Sequence, residues 1–184
     1  MKKINLPTAA TALACLVSMA TAYAEPADSV SSVEGRWRYD GNRRHGERIV
    51  VSAIRGVTSS MGLFARPIAA DLLRRRNRFH EQLELRIRKD ASGRAESVKL
   101  VLGKDRIVFD GEPERPQARS LDGAAMQILL RPDRGGWLLL ATNDHAERRT
   151  RFTLQADGRL RVETQVTVDK LPRPLRYLHQ YRRR

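Results

Sequence analysis

The sequence predicts a mainly β fold: a single antiparallel up-and-down β-barrel with two short helices after its first strand. Three observations carry that expectation. From Phe79 onward, apolar residues recur at every second position in successive runs, separated by short turns rich in Gly, Asp and Pro. Before those runs stand one short alternating strand and two stretches of helical period. No internal repeat, linker or low-complexity segment divides the chain, and closing one meander on itself removes exposed strand edges. A two-sheet sandwich is the alternative.

The chain opens with Met1-Lys2-Lys3, an apolar stretch from Ile4 to Met19, and Thr21-Ala22-Tyr23-Ala24. That is a positive n-region, a hydrophobic region and a small-x-small cleavage site, so residues 1–24 are read as a signal peptide cleaved after Ala24. The apolar run is short and interrupted by Pro7, Thr8, Thr11 and Ser18, which disfavours a membrane span. Acylation at Cys15 is the competing reading. It is disfavoured because Ala12 stands where a lipoprotein box wants Leu, and because apolar sequence continues to the Ala22-x-Ala24 site. A periplasmic or secreted protein is expected, with a disordered N-terminus over 25–32 and one barrel domain over 33–184. After cleavage no cysteine remains, so an exported domain of this size must rely on its core.

The first strand is "EGRWRYDG", with Trp37 and Tyr39 on one face and Arg36 and Arg38 on the other. Ile49, Val50, Ala53, Ile54, Val57 and Met61 then recur at helical spacing, with Gly62 as a stop. Ile68, Ala69, Leu72 and Leu73 repeat that spacing behind Pro67, a residue suited to a first turn. Arg74, Arg75 and Arg76 fall at the second helix's C-terminal end, where cations favour the dipole.

Strands follow at Leu83, Leu85 and Ile87; at Val98, Leu100 and Leu102; and at "RIVFD". A loop is expected from Gly111 to Gly123, holding Pro113 and Pro116. Beyond it come "AAMQILLR", "WLLLAT" and "RRTRFTLQ", then an Asp157-Gly158 hairpin turn into "LRVETQVTV". The last strand, "LRYLHQYRRR", sets Leu175, Tyr177, His179 and Tyr181 on one face, with only its final two or three arginines free to be loose. Eight such runs follow the helical pair, so a meander of about nine strands is expected when the first strand is included.

The formal charge is +14, and removal of Lys2 and Lys3 leaves +12, because residues 1–24 contain no acid. Such a balance favours acidic partners. The arginines are nevertheless scattered, often alternating with apolar residues, and form runs only at Arg74–Arg76 and Arg182–Arg184. No zinc-finger spacing, recognition helix or basic helix with interleaved aromatics is present, which argues against nucleic-acid binding.

No catalytic constellation emerges. Ser59-Ser60-Met61-Gly62 lacks the glycine that a nucleophile elbow needs two residues before its serine. Asp144-His145 reads as a solvated hairpin tip, since neighbouring side chains on a turn make no triad without a partner elsewhere. The histidines at 45, 80, 145 and 179 share no metal-ligand spacing with one another or with acids, so no metal site is read. His179 could point into the barrel and ligate a haem iron, but a hydrogen-bonded core histidine is the preferred reading and no cofactor is expected.

Gly35-Arg36-Trp37 resembles the G-x-W strand start of lipocalins and related calycin barrels, and a strand, two helices and a meander resemble the fatty-acid-binding branch. "RPIA" at 66–69, "DGRL" at 157–160 and "LPRPLRY" at 171–177 with Tyr181-Arg182-Arg183 resemble a group of uncharacterised bacterial lipocalin-like secreted proteins. Leu178-His179-Gln180 departs from that pattern. The resemblance implies a fatty-acid-binding-like barrel and a cavity, and no reaction.

The functional expectation is a non-catalytic binding module for a small apolar or amphipathic ligand. Candidate cavity residues are Trp37, Tyr39, Leu85, Leu100, Ile128, Trp137, Phe152, Val162, Val166, Tyr177 and His179. A small barrel can instead be filled by its own side chains. The second reading is a basic protein docking on anionic lipid or lipopolysaccharide, with Arg74, Arg75, Arg76, Arg182 and Arg183 as surface candidates.

Overall fold

A computed structural model describes residues 33–184 except 92–94, 111 and 134. The expected signal peptide, the 25–32 segment and part of the turn after Lys89 lie outside the described residues. Ten strands form one antiparallel sheet in the order β4-β3-β2-β1-β10-β9-β8-β7-β6-β5. They are β1 (Gly35–Tyr39), β2 (Gln82–Lys89), β3 (Ala95–Leu102), β4 (Asp105–Asp110), β5 (Gln117–Leu121), β6 (Ala124–Asp133), β7 (Gly136–Asn143), β8 (Ala146–Leu154), β9 (Leu160–Val168) and β10 (Leu175–Arg183). Helices α1 (Arg43–Thr58) and α2 (Ala65–Arg76) separate β1 from β2. Every sequential strand pair except β4–β5 is hydrogen-bonded, and β1 bridges β2 to β10. This is the mainly β up-and-down barrel expected, nearly closed.

Barrel closure leaves one seam. The edges β4 and β5 approach without pairing, joined by side-chain contacts instead. The Asp122 amide donates to Asp105 Oδ2 at 3.3 Å, and Arg119 Nη2 donates to the Val108 carbonyl at 3.4 Å. β5 lies inside the stretch expected to be a loop. Of its five residues only Leu121 is buried, so an exposed edge strand showed no alternation in sequence. Asp122 and Gly123, with φ of 48° and 73°, form its two-residue turn into β6, a conformation that Asp-Gly adopts readily.

α1 begins six residues before the first apolar position of its pattern. Asn42 caps it, its Oδ1 accepting from the His45 amide at 2.8 Å, and Arg43 pairs with Glu47 one turn on. Val50, Ile54 and Val57 supply the buried face, packed with Leu73, Val166 and Leu175 beneath the helices. The helix stops at Thr58, three residues before Met61. Pro67 does sit in the first turn of α2, but only Leu73 of that helix is buried; Ile68 and Leu72 are 65% and 54% exposed.

The larger core fills the opposite end of the barrel, around Trp37, Leu100, Phe109, Ile128, Trp137 and Phe152. Trp37 Nε1 donates to the Val33 carbonyl at 3.0 Å, and the Arg183 guanidinium lies 5.0 Å from the Trp37 ring centre. The tail is therefore strand almost to its last residue: Arg182 and Arg183 pair in register with Arg38 and Trp37, and the Arg184 amide donates to the Arg36 carbonyl.

Candidate ligand cavity and its polar wall

A cavity of about 650 Å³ lies at the mouth of the barrel beneath α2. Met61, Ala65, Ile68, Ala69, Leu72 and Leu73 form its roof. Leu121, Ala124 and Met126 at the β5–β6 turn, Ala146 on β8, Val166 and Val168 on β9, and Leu171 form its apolar floor and walls. The half-exposed apolar face of α2 has a simple cause: it looks into this space instead of onto packed core. Arg76, Asn77, Asn143, His145, Arg148 and Lys170 supply the polar part, and no carboxylate occurs among the described residues that line it.

Arg148 is the buried cation of that wall, 6% exposed. Its Nη1 donates to Asp122 Oδ2 at 2.5 Å and its Nε to Thr150 Oγ1 at 3.4 Å. Burial opposes the guanidinium charge, but the Asp122 carboxylate that it hydrogen-bonds favours the charged form, and the group stays a cation. Thr150 and Thr164 face each other beside it at 3.5 Å, and Tyr177 donates to Asn77 Oδ1 at 3.4 Å. Burial raises the Tyr177 phenol, so it stays a neutral donor.

The sequence candidates fall on the inward face. Trp37, Tyr39, Leu85, Leu100, Ile128, Trp137, Phe152 and Val162 are buried in the main core cluster, and Val166 alone of the eleven lines the cavity. Tyr177 packs against the cluster under the helices. His179 is 4% exposed and boxed by Tyr39, Phe79, Tyr177 and Tyr181, with its Nε2 donating to the Gly46 carbonyl at 3.1 Å. Burial lowers its pKa, keeping the ring neutral. Among the surface arginines, Arg75 pairs with Asp71, Arg74 is exposed, and Arg76 lines the cavity. Asp144-His145 lies at the β7–β8 turn, where His145 Nδ1 stands 3.7 Å from Asp169 and is open to solvent.

Two groups of residues have no signal along the chain. The roof of α2 reads as an ordinary core-facing helix, and Arg148 reads as one more strand arginine in "ERRTR". The fold also joins His80, Asp105 and Asp122, whose ligand atoms lie within 4.8 Å of one another although their sequence spacing suggests no array.

No protein-family model and no curated protein sequence matches the chain. Solved structures do. Lipid binding protein 8 of Caenorhabditis elegans aligns at 12% identity and a TM-score of 0.49, covering 84% of this chain and 96% of that one. Echinococcus granulosus fatty-acid-binding protein 1 aligns at 12% and 0.45, covering 84% and 98%. Zebrafish ileal bile acid-binding protein, solved with cholic acid, aligns at 9% and 0.44, covering 84% and 100%.

Proposed function

We propose that this protein is an exported, non-catalytic binding barrel that holds one small amphipathic molecule, apolar along most of its length and anionic at one end, in the cavity beneath α2. The observation that carries the reading is the wall: apolar side chains on most sides, Arg76, Arg148 and Lys170 among its polar members, and no carboxylate among its described residues. The volume falls within the roughly 300–1,000 Å³ common for small-molecule sites, which are mostly apolar with a few placed polar groups. Apolar ligand surface removed from water gains about 25 cal/mol per Å², and a buried guanidinium already oriented by Asp122 meets an anion with little reorganisation. The likeness of the C-terminal strand region to bacterial lipocalin-like proteins supports the same reading. Export is supported by the lysine-led apolar segment of residues 1–24; N-terminal sequencing, expected to begin at Glu25, checks it.

A fluorescent long-chain fatty acid tests the cavity, with the matching alcohol as a control for the head group. Saturable one-to-one binding is expected, weakened at least tenfold in Ala69→Trp, which fills the roof. Arg76→Glu with Lys170→Glu is expected to weaken the acid and leave the alcohol unchanged. Absence of binding in the wild type, or equal binding in Ala69→Trp, contradicts the reading.

A second reading is favoured by one further observation. Leu63 and Phe64, in the turn between the helices, are 81% and 91% exposed; exposed Arg66 stands two residues on, and Arg74 and Arg75 are exposed in the last turn of the same helix, α2. Apolar side chains beside cations suit an interfacial position on anionic lipid. Sedimentation with phosphatidylglycerol vesicles is expected to fall with added salt and in Phe64→Ser; binding indifferent to both would dismiss it.

A further inference from the structure

His80, Asp105 and Asp122 come from three separate places in the chain and meet at one end of the β4–β5 seam. His80 stands just before β2, Asp105 opens β4, and Asp122 forms the turn between β5 and β6. Glycine makes room for the histidine: a Cβ at Gly103, where φ is 59°, would stand 2.8 Å from His80 Nδ1. Neither His80 Nε2 nor Asp122 Oδ1 makes a hydrogen bond, although both atoms are buried and the Asp122 side chain is 1% exposed. These two atoms face each other across 3.6 Å, too far for a hydrogen bond.

That separation has a chemical meaning. Two ligands bound to one tetrahedral metal ion at about 2.0–2.2 Å stand about 3.3–3.6 Å apart. The other oxygens are already oriented, as a ligand shell requires: Asp122 Oδ2 accepts from Arg148, and Asp105 Oδ2 accepts from the Asp122 amide. We propose that His80 Nε2, Asp105 and Asp122 Oδ1 bind one Zn²⁺ ion, which clasps the unpaired β4 and β5 edges to the start of β2. One imidazole and two carboxylates suit a borderline cation of this kind, with water completing the tetrahedron. Burial, reinforced by Arg148 and Arg78 against the pull of Asp122 and Asp105, lowers the His80 pKa and so favours the neutral imidazole that can ligate. The charge of Arg148 opposes any cation here, and the imidazole ligand favours zinc over Mg²⁺, which prefers an all-oxygen shell.

The site is tested with untagged full-length protein stripped by chelator and titrated with ZnCl₂, read by calorimetry and thermal melting. One ion per chain and a rise in melting temperature are expected, with Mg²⁺ giving neither. Asp105→Asn and His80→Ala are expected to bind at least tenfold more weakly and to lose the zinc-dependent rise. Asp105→Asn is nearly isosteric, and circular dichroism confirms its fold before titration. Failure of the wild type to bind one equivalent overturns the clasp, as does unchanged binding in folded Asp105→Asn. Neither result depends on what fills the cavity.

Discussion

Gly46 shows how much a single residue can decide here. It lies in the first turn of α1, and a Cβ there would overlap the Phe79 ring, which packs edge-on against Tyr39. The same residue offers its carbonyl to His179. Gly46→Ala is therefore expected to destabilise by about 1–3 kcal/mol, a strain visible as a lower urea midpoint, despite the higher helix propensity of alanine. His179 carries a pH signature. Its folded pKa lies below the unfolded value near 6.5, so the unfolded chain binds the proton first on acidification. Its contribution is whole above about pH 6.5 and is lost as pH falls toward the folded pKa, at up to about 1.4 kcal/mol per pH unit. Stability measured from pH 7.5 down to 5 is expected to fall less steeply in His179→Gln than in the wild type. The Arg148–Asp122 pair behaves differently again. Arg148→Met alone leaves a buried carboxylate without its partner and is expected to cost about 3–5 kcal/mol, whereas adding Asp122→Asn recovers part of that loss. A double-mutant cycle by urea unfolding checks the coupling.

Among the elements, α1 and α2 differ in what holds them. α1 has a side-chain cap and buries Val50, Ile54 and Val57, whereas α2 has no side-chain cap and buries only Leu73. Little apolar contact anchors α2, so it is the expected point of entry to the cavity it roofs. Amide hydrogen exchange is expected to be faster in α2 than in α1 and to slow in α2 when a fatty acid binds; equal rates in both helices would contradict this assignment. The elements also differ in how clearly they could be read. β9 buries Leu160, Val162, Thr164 and Val166 as its alternation requires, and β10 buries Leu175, His179 and Tyr181. β5 was hidden because an edge strand with one buried residue carries no period. α1 began earlier than its apolar pattern because a cap and an Arg43–Glu47 pair, not hydrophobic residues, form its first turn.

At the scale of the whole molecule, strand order follows from the turns, but the cavity does not. Period two tells which residues face inward, and inward residues were expected to line a ligand site. The barrel interior is divided instead: large side chains, Trp37, Trp137 and Phe152 among them, fill one end, and the apolar cavity opens where α2 stands off the mouth. That standoff depends on the angle at which two helices return to the sheet, which no alternation records. The seam has the same origin, because Asp105 and Asp122 become neighbours only when β4 and β5 curl toward each other. The central claim is that the space beneath α2 holds a small amphipathic anion, and native mass spectrometry of the protein purified without denaturation tests it most directly. A single adduct per chain is expected, a few hundred daltons in mass, released on unfolding and absent from Ala69→Trp. A bare chain mass in the wild type, with no adduct after incubation with long-chain fatty acids, would contradict it.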